Sequence, residues 1–379
     1  MREYTIIIGS KAFFDDKVNN ELESINIEKN NFKVFRFLEL VKKRDFAKQG
    51  EASSTFDEKA DYLVISNNDY NGIVNAAHDR LGALIEELTS ETANVFVHNP
   101  PRVLFEYLIN LYGRDLIKLI KLKEEYSINR DSKSFRNNIK KISNNIIGQD
   151  NAILEISKSL WYLTSVNRTK PYVIMLYGNS SLGKTELVRE IAKYFFNGKV
   201  LEKHLSMFKN TNYSDYFFGE EPNRRSIGFD LLERDSNLVF LDELDKCPEF
   251  FYSAFYTLFD NSQFKDSTYD VDISGIIIIL TSNFHNEEEM KQNLGFPIYY
   301  RIDKFIKFDD FSSQTIYEVT MKEIQSKKSE YEGKITEMEI YSSVSKLINI
   351  KDENARTIRF KVQQVIENLL FKDVVDLEI

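Results

Sequence analysis

Through the first hundred residues, short aliphatic runs alternate with segments of helical spacing. Thr5 to Ile8 ends at Gly9-Ser10, and Lys33 to Leu38 is a second β-rich stretch. Tyr62 to Ile65 stops at Ser66-Asn67-Asn68, and Asn94 to Val97 stops at Asn99-Pro100-Pro101. Between these last two, Ile73 to Leu88 carries apolar residues at helical spacing. Short strands alternating with helices predict a small α/β domain with a largely parallel sheet. From Arg102 to Tyr126 the pattern reads as helix, with Leu116, Leu119, Ile120 and Leu122 on its apolar side. Residues 127–145 turn polar, as a linker or an exposed helix does. His98-Asn99-Pro100-Pro101 reads as punctuation, Asn99 capping a helix that opens with proline.

Tyr172 to Tyr177 is a continuous apolar run, the pattern of a strand buried on both faces. It leads directly into Gly178-Asn179-Ser180-Ser181-Leu182-Gly183-Lys184-Thr185, a complete G-x-x-x-x-G-K-[ST], and a helical segment follows from Glu186. Glycines let such a loop curl so that successive N–H groups face a phosphate beside a helix N-terminus. Lys184 then places its charge on the β- and γ-phosphates of a nucleotide, and the Thr185 hydroxyl ligates Mg²⁺. The bland alternative is an ordinary glycine-containing turn. The complete eight-residue pattern between strand and helix favours a bound nucleotide with Mg²⁺.

Further on, Leu238 to Leu241 is apolar and ends in Asp242-Glu243. The C-terminus of a strand is where an α/β sheet presents ligand-binding groups. There Asp242 would hold the metal and Glu243 would polarise an attacking water. Another strand, Ile276 to Leu280, ends in Thr281-Ser282-Asn283, and Asn283 is placed to align that water. On its own, an asparagine ending a strand is more often turn chemistry.

Composition narrows the class. With 42% hydrophobic residues, 29% charged residues and a net charge of −9, the chain reads as globular, not disordered, and argues against broad nucleic-acid binding. One cysteine, Cys247, excludes an internal disulfide and a cysteine-rich zinc site, and the four histidines lack metal-ligand spacing. The first residues carry no apolar signal-like run, and the longest aliphatic run, Ile276 to Leu280, is too short for a membrane span. The expectation is a soluble cytoplasmic protein with no membrane contact.

Together the phosphate loop, Asp242-Glu243 and Asn283 resemble Walker A, Walker B and sensor 1 of the AAA+ ATPases, specifically the Clp-type, ClpB-like module. Ile146-Ile147-Gly148-Gln149-Asp150 looks like that family's adenine-packing segment, and Glu243-Leu244-Asp245-Lys246 is similar to its Walker B continuation. Tyr300-Arg301-Ile302-Asp303 resembles N-R-I-D, whose arginine reaches the nucleotide of the neighbouring subunit. Read without the family, Arg301 would be a surface salt-bridge partner. Asn354-Ala355-Arg356 resembles the G-A-R of sensor 2, with asparagine the next-best residue for a left-handed backbone position. After it, Ile358, Val362, Val365, Ile366 and Leu369 form an amphipathic core stripe.

What the resemblance implies is a P-loop AAA+ parallel sheet with a C-terminal helical lid. Residues 1–126 would be an N-terminal α/β domain, 127–145 a linker, 146–310 the large ATPase subdomain and 311–379 the lid. Ile146, Ile147, residues Gly178 to Glu186 and Arg356 would bind nucleotide, and a ring, hexameric in the family, would form. Clp-type unfoldases grip polypeptide with an aromatic pore loop. Here the corresponding turn is shorter and reads Asn223-Arg224-Arg225-Ser226, with Tyr216 and Phe229 as displaced aromatics. Arg224 and Arg225 are either a solvated pair or an interface or anion contact. Two outputs stay open. One is a remodeller that threads a protein client. The other is an ATP-gated assembly switch, such as a bacterial defence sensor controlling an effector; the missing aromatic favours the switch and the close Clp-type lid favours the remodeller. The role of the N-terminal domain, partner recognition or a second ligand site after Gly9-Ser10, also stays open.

Overall fold

A computed structural model describes residues 1–25, 32–49, 57–114, 117–121, 128–209, 213–350 and 352–372. Two five-stranded sheets organise it, and every pairing within them is parallel.

The first sheet contains β1 (Glu3–Ile8), β2 (Val34–Arg36), β3 (Ala60–Ile65), β4 (Thr89–His98) and β5 (Ile117–Lys121), in the order β2-β3-β4-β1-β5. Its faces are covered unequally. Phe14 and Val18 of helix Lys11–Ser24 pack with Ile7, Tyr62, Val64 and Phe96 on one side. Helices Phe37–Gln49, Leu81–Leu88 and Arg102–Tyr112 build the larger core on the other. Two expectations are corrected here. The second β-rich stretch is a strand only over Val34–Arg36, because Phe37 and Leu38 already open a helix. The long helix from Arg102 stops at Tyr112, where Gly113 adopts φ 76° as its C-cap, and residues 117–121 add the edge strand β5. Leu119 and Ile120 are therefore strand residues; Leu116 and the proposed continuation over 122–126, with Leu122, lie outside the described residues.

In the second sheet are β6 (Tyr172–Tyr177), β7 (Leu201–His204), β8 (Leu238–Asp242), β11 (Ile277–Thr281) and β12 (Lys304–Lys307), in the order β12-β6-β11-β8-β7. Strand side chains alternate between faces, and both faces here are buried. In β6, Ile174 and Leu176 enter one core while Val173, Met175 and Tyr177 enter the other. The same split occurs in β8 and β11, which explains their unbroken aliphatic runs. A short antiparallel hairpin, β9 (Gln263–Lys265) with β10 (Asp270–Asp272), stands beside this sheet.

The polar stretch before it is mostly helix, Ser132–Asn145, with Phe135 and Ile142 buried in the core on one face of the second sheet. Helices Ser313–Ser326, Glu337–Ser345 and Ala355–Lys372 pack on one another through Ile316, Ile324, Ile340, Val344, Ile358 and Val362. That core is continuous with one face of the second sheet, so the three helices are joined to the strand ends that carry the site.

Candidate nucleotide site

The phosphate loop leaves β6 at Gly178, whose φ is 133°. A Cβ there would stand 2.5 Å from the backbone oxygen of Phe308, so only glycine fits. Ser181 (φ 61°) and Gly183 (φ 102°) also take left-handed backbone, and helix Lys184–Phe195 starts immediately after. Leu182 is buried as a hydrophobic anchor, while Ser180 and Glu186 are exposed. Ile146 is buried beside the loop, its Cγ2 3.9 Å from the Cβ position of Gly183, and Ile147 is half-buried next to it. Gln149 fixes this segment by pairing with both the carbonyl (2.9 Å) and the N–H (3.1 Å) of Asp309. Asn179 reaches Asp310 at 2.6 Å.

Lys184 is 7% exposed and donates to the carbonyls of Gly178 and Asn179, each at 2.7 Å, and to Asn283 Oδ1 at 3.4 Å. Burial pulls its ammonium down to about 8, against the raising influence of Asp245 and Asp242. Asn283 is held in turn by Asp245, its amide nitrogens donating at 3.2 and 3.3 Å. The strand order explains this meeting: β11 lies directly between the phosphate-loop strand and the strand ending in the acid pair.

Asp242 ends β8 with three side-chain partners. Thr185 Oγ1 lies 3.4 Å from its Oδ1, Thr281 Oγ1 donates to the same oxygen, and His204 Nδ1 lies 3.1 Å from Oδ2. Thr281 also accepts the Glu243 N–H at 2.9 Å, so one hydroxyl ties the two acids together. Glu243 itself has φ 60°, an uncommon conformation for a residue with a Cβ that turns the chain sharply after the strand.

Arg301 lies elsewhere. It pairs with Asp260 at 3.0 Å, donates to the Pro297 carbonyl at 2.6 Å and sits 4.9 Å over the Tyr256 ring. Nearby, Asp303 N–H bonds to Val173, five residues before Gly178; at about 3.3 Å per strand residue that is roughly 16 Å from the phosphate loop. Arg356 begins the last helix as an exposed residue next to Ala355, whose N–H donates to the Ser181 carbonyl at 3.1 Å. Asn354 departs from its expected left-handed role. It is absent from the positive-φ residues, and its Oδ1 caps the helix by accepting the N–H of Arg356 (3.0 Å) and Thr357 (3.1 Å).

Residues 169–338 match the family model described as AAA domain (Cdc48 subfamily). That segment is a AAA domain, and the relatives it matches are Clp-type AAA+ proteins. Among similar proteins, chaperone protein ClpB of Yersinia enterocolitica is 25% identical over 159 residues, 39% of this chain and 18% of its own length. Chloroplastic chaperone protein ClpC2 of rice (Oryza sativa subsp. japonica) is 23% identical over 248 residues, 62% and 26% of the two chains. The mitochondrial disaggregase of Homo sapiens is 26% identical over 166 residues, 39% and 23%. The matched part thus spans about a quarter or less of these relatives' length.

Sequence reasoning passed over Thr281 and His204 as site residues. Thr281 was visible only as the end of a strand, and β7 is too short and polar to be read as one; its register sets His204 opposite Asp242. In the pore-loop segment, Arg224 pairs with Asp215 and Glu221 (2.8 Å each), and Arg225 pairs with Asp230 (2.8 Å) over the Phe229 ring. Phe229 is buried and the Tyr216 hydroxyl donates to Asp230 at 2.8 Å. No helix among the described residues is long and apolar enough to cross a membrane. Among them, too, no three His, Cys, Asp or Glu side chains form a metal cluster.

Proposed function

We propose that the protein binds ATP with Mg²⁺ at a contact between two copies of itself, hydrolyses it, and uses the cycle to switch its own assembly. The observation that carries this reading is the convergence of Lys184, Thr185, Asp242 and Asn283 at the carboxyl ends of neighbouring strands. The donor set fits the group: a glycine no larger residue can replace, a buried ammonium, and a hydroxyl beside a carboxylate.

In this mechanism the N–H groups from Asn179 to Glu186 and the Lys184 ammonium hold the phosphates, while Ile146 and Ile147 flank the base. Thr185 and Asp242 would hold Mg²⁺, which would supply neutralising charge to the phosphates. Glu243 accepts a hydrogen bond from water and orients it for in-line attack, and Asn283 fixes its second side. Arg356 reports the nucleotide to the lid. Arg301 acts from a neighbouring copy, because its own phosphate loop is out of its reach. The family resemblance supports an assembly that is a ring, hexameric in the family, acting on a protein client or effector.

The switch is favoured over threading because both pore-loop arginines are engaged within their own chain and both candidate aromatics are held. A client-remodelling output is the second reading, supported by the chaperone and disaggregase relatives. Lys184→Ala is expected to abolish nucleotide binding, measured by calorimetry. Glu243→Gln should still bind ATP while turnover falls about 10²-fold or more; undiminished turnover would remove Glu243 from its role.

A further inference from the structure

The carboxyl edge of the first sheet is occupied by a side chain from the ATPase module. Helices Lys11–Ser24 and Arg102–Tyr112 follow the adjacent strands β1 and β4 and depart to opposite faces of the sheet. Adjacent strands with diverging connections leave a crevice between their ends, the position where open α/β sheets receive ligands. Glu233, which follows helix Ile227–Leu232, reaches into it. Its Oε2 accepts the Lys11 N–H at 3.0 Å, and its Oε1 accepts from Asn67 Nδ2 at 3.1 Å and Asn99 Nδ2 at 3.4 Å.

The socket is built for this. Asn67, His98 and Asn99 are each 1% exposed or less. Asn99 holds φ 40° so that its amide can grip both the N–H (2.9 Å) and the carbonyl (2.8 Å) of Gly9; it is a socket wall, not the helix cap its sequence suggested. His98 stacks on Phe14, accepts the Asn67 N–H at 3.3 Å and donates to Gly9 at 2.8 Å. Burial lowers its pKa, which keeps the ring neutral, and it lies 3.6 Å from Glu233 as a dipole and not a counter-charge. A second helix start is met the same way: the Arg102 N–H donates to the Thr268 carbonyl at 2.8 Å. Tyr269 Oη completes the contact by donating to Asn67 Oδ1 at 3.2 Å. Among the described residues, Ile8 is the aliphatic that packs against the cores of both halves, so the junction is chiefly polar.

We infer that this crevice is an interaction surface for a single carboxylate, and that Glu233 is its resident occupant, locking the N-terminal domain onto the ATPase module. The hydrogen-bond donors that hold the carboxylate, the Lys11 N–H and the Asn67 and Asn99 amides, are neutral. Such an arrangement holds only while all of them stay in register, and separation by an ångström or two lets water replace them. The lock is therefore releasable in a way that a large apolar interface is not. It sits five residues before β8, the strand that ends in Asp242. The inference rests on the domain contact alone, not on the ATPase reading.

The Lys11 N–H gives a direct readout, because the first N–H groups of a helix have no partner within the helix. In the full chain, hydrogen–deuterium exchange at this amide should accelerate at least tenfold in Glu233→Ala, with Glu233→Gln intermediate. Asn67→Ala, which leaves Glu233 intact, should also accelerate it and should raise the radius of gyration in solution scattering. Exchange in the middle of β3, at Leu63 to Ile65, should stay unchanged in all three. Unchanged Lys11 exchange in Glu233→Ala, unchanged exchange in Asn67→Ala, or acceleration throughout the sheet would each overturn the lock.

Discussion

At the ends of β6, β8 and β11 stand a lysine, two adjoining acids and an asparagine, and those charges come from the strands' own continuations. At the ends of β1, β3 and β4 stand a serine, two asparagines and a histidine, and the charge is brought from outside by Glu233. Both edges are parallel-strand ends with helix N-termini pointing into them, so both attract anions. One carries the Lys184 charge and a curled glycine loop, the features on which a polyphosphate site is proposed. The other, whose nearby Lys11 ammonium is paired with Asp15, meets its carboxylate with neutral donors and is matched to one such group. Equal architecture therefore does not mean equal function; the side chains on the last residues of the strands decide it.

The comparison is broken most severely at Arg301. If the second sheet's edge is half of a shared site, Arg301→Ala should cut turnover about 10³-fold while ATP still binds. Mixing Arg301→Ala with Lys184→Ala subunits should restore part of the activity in a turnover assay. No restoration at any mixing ratio would leave Arg301 as the partner of Asp260 and nothing more.

A smaller loss is expected at Thr281→Val, where the Glu243 N–H and the Asp242 carboxylate lose their common hydroxyl. An unpaired buried amide costs about 1–3 kcal/mol, so turnover should fall roughly tenfold or more and the Mg²⁺ requirement should rise. A variant indistinguishable from the parent in both would show that Thr281 merely fills space.

Next comes a pH effect of several-fold. With the Lys184 ammonium at about 8, nucleotide affinity should fall as pH rises above 8, because the phosphates favour the charged form. The nucleotide-free protein should move the other way. A lysine depressed in the folded state leaves the unfolded chain with more bound protons between pH 8 and about 10.4, so this group's contribution to stability rises with pH there. In Lys184→Arg the affinity profile should be flat over pH 7–9. The smallest effect belongs to Arg224→Ala. Its ion pairs are largely exposed, and such pairs contribute about 0–1 kcal/mol, so basal ATPase should stay within about twofold.

The two edges were not equally legible. The phosphate loop could be read residue by residue because each position answers to a local constraint: a glycine facing Phe308, a lysine at a helix start, a hydroxyl next to it. The acid pair and Asn283 were legible because buried parallel strands are continuous apolar runs whose ends stand out. Thr281 and His204 were not, since their role comes from strand order and register, which bring residues 38 or 39 apart onto one carboxylate. β5 was hidden by aliphatics that fit helical and strand spacing alike, and only the backbone at Gly113 separates the two. Nothing local marks Glu233: an acid at a helix end is commonplace until the other domain's Lys11 N–H is found against it.

The most direct test of the central claim is the mass of Glu243→Gln by light scattering, with and without ATP and Mg²⁺. The account predicts a closed multimer, about six chains by the family resemblance, that forms only with both and is lost when Arg301→Ala is added. The same mass under all conditions would contradict an ATP-gated assembly.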